Sequence, residues 1–194
     1  KSPMNRDAEG PAQNWVDDVH LESPRRSTLL PFLKGTSFLS RDLELVRQII
    51  KTELTLEMAA TQEMASIAAK IKPDFVTLVP ESPGEVTTQG GLNLLNIKQD
   101  LKLFISNLKE NGIKVGIFID PDIEQVKEVT RIGAHYIEIN TNEYSQRNIH
   151  KIRDEIIRIS RVAKAAKREG LIVHAGHGLD YRNMPSLLTV SEIT

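Results

Sequence analysis

Cysteine is absent from the 194 residues, which removes disulfide scaffolds, thiolate zinc sites, iron–sulfur ligation and cysteine nucleophiles together. It also fits a reducing compartment. Excess charge of either sign is missing too: 25 Lys and Arg face 26 Asp and Glu, for a formal net charge of -1. Nucleic acid and anionic membranes select a concentrated basic patch, so neither is expected as a partner, whereas small local anions are compatible. No apolar run approaches the roughly 20 residues that span a bilayer, and KSPMNRDAEGPAQNW at the start lacks the apolar centre of a signal peptide. The expectation is a soluble cytoplasmic protein. G-x-G-x-x-G, G-x-S-x-G and H-E-x-x-H are all missing, and no repeat beyond an alternation of strand and helix is visible. Any chemistry falls to His, carboxylates, Lys, Ser and Thr.

What is present is 40% apolar residues, ample for one buried core. Residues 1–39 hold Pro3, Pro11, Pro24 and Pro31 around one apolar island, and read as an irregular segment with a single possible strand, WVDDVHL. From Ser40 to residue 194 the texture is regular. Ser40 caps a helix through Leu43, Val46 and Ile49; LTLEM follows as a strand; Thr61 opens a helix closed by Pro73. FVTLV leads through the polar loop PESPGEVTTQGG into a helix from about Asn96 to Glu110. VGIFI precedes a helix after Asp122 that Gly133 ends, YIEI precedes the longest helix, about Glu143 to Glu169, and LIVHA closes the series.

Near-continuous apolar strands separated by helices imply a parallel sheet. A doubly wound sheet and a (β/α)8 TIM barrel both qualify. Glu57, Glu81, Asp120, Glu138 and His177 all fall at or near the C-terminal ends of strands, where barrels build their sites, and the Gly-rich fingerprint of an open nucleotide-binding sheet is missing. The barrel is favoured.

Several residues carry candidate chemistry. Glu57, among Leu, Thr and Met, is either a general acid or base with a raised pKa, or half of a structural ion pair. Tyr136 and Glu138 share one face of their strand, so Glu138 points inward, where it must be paired, protonated or functional. In HAGHG, Gly176 and Gly178 flank His177 and let the chain turn sharply beside an imidazole, suited to a proton donor near an oxyanion or, equally, to an ordinary turn. His174 and His177 would point to opposite faces of a continued strand, which disfavours a shared metal. Thr87 and Thr88 offer hydroxyls to an anion. Arg25 and Arg26 suit bidentate phosphate contact or a solvated surface. Helix packing or solvent accounts for His135 and His150.

Taken together, VHL, LTLEMAAT, KPDFVTLVPE, EVTTQGGLN, GIFIDPD, YIEINT and VHAGHGLDYRN resemble the pyridoxine 5′-phosphate synthase family of deoxyxylulose-dependent vitamin B6 synthesis. The resemblance runs from about Leu54 to Asn183. It implies a (β/α)8 barrel assembled as a homo-octamer that joins 1-deoxy-D-xylulose 5-phosphate to 3-amino-2-oxopropyl phosphate, with no metal or organic cofactor. By the same resemblance, Glu57 and His20 are bases, His177 is a proton donor and Glu138 stabilises a transition state. Thr87 and Gly178 contact the substrates, and Arg25 and Arg26 bind phosphate.

The chain departs from that family in places. Residues 1–19 do not reproduce the family's first strand, Glu22 stands where the family has an Arg, and TVSEIT comes before the family's last strand. Six strand-like runs against eight in a closed barrel, and 194 residues against about 250, predict a barrel incomplete at its N- and C-terminal strands. The alternative reading is a barrel homologue that has lost catalysis and serves as a binding or structural subunit. An aldolase or epimerase of phosphorylated ketoses is disfavoured, because no strand-end position is a Lys suited to a Schiff base.

Overall fold

A computed structural model describes residues 19–23, 26–29, 36–80, 90–97, 100–146 and 149–194; for 19–23, 26–29, 36–42 and 149–151 it describes backbone alone. Two strands, β1 (Val19–Ser23) and β2 (Arg26–Leu29), pair antiparallel at the start. WVDDVHL thus contributes a strand at its end, its first four residues lying outside the described ones, and RSTL adds a strand that periodicity did not suggest. After them α1 (Thr36–Ile49) begins ahead of Ser40, which lies inside the helix instead of capping it.

The βα alternation follows. β3 (Glu53–Met58) leads to α2 (Gln62–Ile71), where the Thr61 hydroxyl accepts from the Met64 amide at 3.2 Å and Lys72 ends the helix in the left-handed region just before Pro73. β4 (Phe75–Leu78) comes next. The expected start of the following helix at Asn96 is instead a short 3-10 turn, Leu94–Asn96, and α3 (Leu101–Glu110) starts only where Asp100 Oδ1 accepts from the Leu103 amide at 3.2 Å. β5 (Lys114–Ile119) precedes α4 (Ile123–Ile132), capped by Asp122 and ended by Gly133 at φ +78°.

β6 (Tyr136–Asn140) is followed by a helix in two pieces, α5 (Asn142–Ser145) and α6 (Ile149–Arg168), not the continuous one expected. The Ser145 hydroxyl donates to the Asn142 carbonyl at 2.7 Å, and the buried Tyr144 hydroxyl donates to the Asn183 carbonyl, so one local and one long-range side-chain bond hold the short helix. β7 (Ile172–Gly176) and the short α7 (Met184–Leu187) complete the chain.

The strands lie in one sheet in sequence order, β1 to β7, with every pair from β2 to β7 parallel. A doubly wound sheet reverses direction at a switch point; this one never does, which is the winding of a barrel wall. No pairing joins β1 to β7, so among the described residues the wall is open. Strand alternation sorts the side chains. Leu54, Leu56, Val76, Leu78, Ile117 and Ile137 face the helices and join Ile67, Phe104, Val129 and Ile159 in one buried core. The other face carries Glu57, Thr77, Tyr136, Glu138 and His174.

Candidate active site

Register stacks that second face in rows. Glu57 lies opposite Thr77, Thr77 opposite Gly116 and Gly116 opposite Tyr136. One pleat nearer the C-terminal edge, Phe118 lies opposite Glu138 and Glu138 opposite His174. Three carboxyl or imidazole groups from three strands therefore share a single surface.

Glu138 is 8% exposed, and Thr77 and Tyr136 are fully buried. The Thr77 hydroxyl donates to Glu138 Oε2 at 3.3 Å and lies 2.7 Å from the Tyr136 hydroxyl. Thr77 has one proton to give, so with that proton on Glu138 the Tyr136 hydroxyl donates to Thr77. Two glycines make the arrangement possible. A Cβ at Gly116 would fall inside the Tyr136 ring, and one at Gly176 would meet the Glu138 carboxylate. Tyr136 also packs edge-on against Phe75, with centroids 5.8 Å apart, and against His174 at 4.8 Å.

His177 sits where β7 ends. Its φ of +85° and the +72° of Gly178 turn the chain sharply, and its ring lies 6.2 Å from that of Phe118, on the Glu138 row. Thr141, fully buried, holds the turn from beneath: its hydroxyl is 2.7 Å from the carbonyls of both Gly176 and His177, and its amide donates to Gly176 at 2.9 Å. The Asn183 side chain donates to the Gly178 carbonyl at 3.0 Å. Burial holds the His177 imidazole below its ordinary pKa, so at neutral pH it is uncharged and able to accept a proton before giving one.

Not all the residues singled out in the sequence gather there. Glu57 is half-buried on the same face, and Gly178 adjoins His177. His20 lies on β1; its backbone pairs with Thr28, itself opposite Thr55, which is one pleat below Glu57. Arg26 pairs with Glu53 at the N-terminal end of β3, about 13 Å of strand away from Glu57. Arg25 and Thr87 lie outside the described residues, as does the side chain of His150. His135 has a packing role: its Nδ1 accepts the Val115 amide at 3.0 Å at the foot of the sheet. Sequence reading passed over Thr77, though it is the single polar residue in FVTLV, and weighed His174 only as a metal ligand. It noted Asp120 without its partners: Asp120 Oδ1 accepts from Asn140 Nδ2 at 2.8 Å and from the Gly91 amide at 2.9 Å. No three His, Asp or Glu side chains converge as a metal centre would require among the described residues.

The family model described as "Pyridoxal phosphate biosynthesis protein PdxJ" matches residues 38–194. The chain belongs to this family. Curated PdxJ-family relatives include the pyridoxine 5′-phosphate synthase of Syntrophotalea carbinolica, 51% identical over 79% of this chain and 64% of its own length. That of Chloroherpeton thalassium is 45% identical over 79% of this chain and 65% of its own. The chain thus spans a little less than two thirds of these relatives. Among solved structures, a tetrameric deoxyribose phosphate aldolase from Aeropyrum pernix superposes with a TM-score of 0.57 at 17% identity, covering 93% of this chain and 90% of that one. A tryptophan synthase α-subunit from Pyrococcus furiosus superposes with a TM-score of 0.53 at 14% identity, covering 82% and 60%. Identity this low carries the fold alone, and that fold is the TIM barrel, its wall open among the described residues.

Proposed function

We propose that this PdxJ-family protein is a pyridoxine 5′-phosphate synthase that condenses 1-deoxy-D-xylulose 5-phosphate with 3-amino-2-oxopropyl phosphate, releasing phosphate and water. The observation that carries the reading is the convergence of Glu57, Glu138 and His177 on one face of the parallel wall, toward the C-terminal ends of its strands. Joining an amine to a ketone, expelling phosphate and dehydrating to an aromatic ring needs repeated proton transfers, and a set of carboxylates and imidazoles sharing one partly buried face supplies them. Glu57 is assigned as a base and neutral His177 as the group that takes up a proton and delivers it to a departing oxygen. Glu138 is assigned the stabilisation of positive charge developing on the substrate.

His20 as a second base, and Thr87, Gly178, Arg25 and Arg26 as phosphate and substrate contacts, complete the proposal on family resemblance. So do the absence of a cofactor, a cytoplasmic location and a homo-octamer. The division between residues 1–39 and a barrel domain over 40–194 belongs to it as well; the start of the family match at residue 38 supports it, while the pairing of β2 with β3 joins the earlier segment to the same wall.

The test is to incubate the full-length protein with both substrates and follow pyridoxine 5′-phosphate. Product is expected, with a loss of about 10²–10⁴ in kcat on Glu57→Gln. A folded protein that makes none would instead be the catalytically lost barrel homologue.

A further inference from the structure

Thr77 and Tyr136 belong to no part of the proposed acid–base set, yet both are fully buried on the face that carries it. Neither is there for apolar packing alone. The Thr77 hydroxyl is 3.3 Å from Glu138 Oε2 and 2.7 Å from the Tyr136 hydroxyl. These residues come from β4 and β6, with β5 between them, and a hydrogen-bonded path crosses that middle strand only because position 116 is glycine. Its missing side chain leaves the space that the Tyr136 ring fills. Phe75 and His174 pack against that ring, and the Lys114 ammonium lies 4.8 Å from the Phe75 centroid.

We propose that Thr77 and Tyr136 are positioning residues, a hydroxyl relay that fixes which way the Glu138 carboxylate faces. A carboxylate in a strand is free to rotate about its last bond, and each rotation aims a different oxygen at the substrate. Donation from Thr77 ties down Oε2, and donation from Tyr136 to Thr77 commits the threonine proton to that direction, since a hydroxyl that accepts from one side donates best to the other. The bare edge at Gly176 leaves Oε1 on the side of the His177 turn. A hydrogen bond to the charged form also favours the carboxylate. The relay therefore keeps Glu138 both ionised and aimed. Its role in turnover rests on the synthase reading above; its effect on the carboxylate does not.

Among the described residues, the titratable groups on this face besides Glu138 are Glu53 and Glu57 on β3, Lys114 on β5, Tyr136 on β6, His174 on β7 and His177 beyond it. Thr77→Val leaves all of them in place while removing the donor. Thr77→Ser restores it, and Tyr136→Phe keeps the ring but drops the hydroxyl.

The experiment uses the full-length protein and two readouts. In the first, the Glu138 carboxyl is titrated by carbon-13 NMR, its signal assigned by its loss in Glu138→Gln. Thr77→Val is expected to raise its apparent pKa, Tyr136→Phe to raise it less, and Thr77→Ser to restore it. In the second, kcat falls between about tenfold and a hundredfold in Thr77→Val with KM within about twofold of the parent, and recovers in Thr77→Ser. An unchanged Glu138 titration in folded Thr77→Val or Tyr136→Phe overturns the relay. A parent protein without synthase activity removes the synthase reading while leaving the titration to decide the relay.

Discussion

A Cβ on Gly176 would stand 2.6 Å from Oε1 of Glu138, so the bare backbone of β7 is what gives the carboxylate of β6 its room. Gly176→Ala is expected to push that carboxylate off its bond with Thr77 and to lower kcat by about tenfold to a hundredfold. Overpacking of this kind costs about 1–3 kcal/mol of stability. Steady-state kinetics beside urea unfolding separate the two effects, and unaltered kinetics would show that the carboxylate's position is immaterial.

Thr141 anchors the His177 turn through two carbonyls at 2.7 Å. Thr141→Val keeps the shape and deletes the donor, leaving the His177 carbonyl without that bond while Gly176 retains the Thr141 amide. That carbonyl is partly buried, so water recovers part of the loss and the cost falls toward the low end of the about 1–3 kcal/mol of a fully buried acceptor. The unfolding midpoint in urea should drop accordingly, with slope unchanged.

Stability should also depend on pH through two histidines. Burial, then the charge of Lys109 and Lys114, hold His135 below its ordinary pKa, and burial does the same for His177. Between the lowered folded values and an unfolded value of about 6.5, the unfolded chain binds more protons. Stability is then complete above about 6.5 and is lost as pH falls through the folded values. Protonated His135 could no longer accept the Val115 amide. His135→Gln, which accepts without titrating, should flatten the fall in melting temperature between about pH 7 and 5 relative to the parent; an equal slope in both would refute the assignment.

Gly116→Ala tests the seat of the tyrosine ring. The added methyl competes with Tyr136 for the same space, so the variant should lose about 1–3 kcal/mol, occasionally more, because neither strand can yield without breaking the ladder. Near-ultraviolet circular dichroism, which reports the packing of Tyr136, should change while the far-ultraviolet signal holds.

The parallel wall was legible because its strands carry the pattern that burial imposes: Leu54, Leu56, Val76, Leu78, Ile117 and Ile137 alternate with the residues of the site face. Helix ends marked by a side-chain cap, at Thr61 and Asp122, or by Gly133, could be read directly. β2 could not, because RSTL offers one apolar residue and its strand state comes from pairing with β3. The separation of α5 from α6 was hidden because amphipathic spacing ran on through it, and the bond that holds α5 against the end of the chain joins Tyr144 to Asn183, 39 residues away. Glu138 and His177 announced themselves by residue type. Thr77 and Tyr136, 59 residues apart, have no local signal for their bond, and only the register of three strands brings them together.

His177 occupies backbone territory that glycine holds without strain, at φ +85°. A side chain there costs on the order of 1–2 kcal/mol, which the Thr141 anchor and the contact with Phe118 must outweigh. Under the role proposed for His177, stability and activity pull this position in opposite directions: glycine would ease the turn and leave no imidazole beside Phe118. Directed evolution for thermal tolerance alone would be expected to erase the histidine here first, and so to trade turnover for robustness at a single codon.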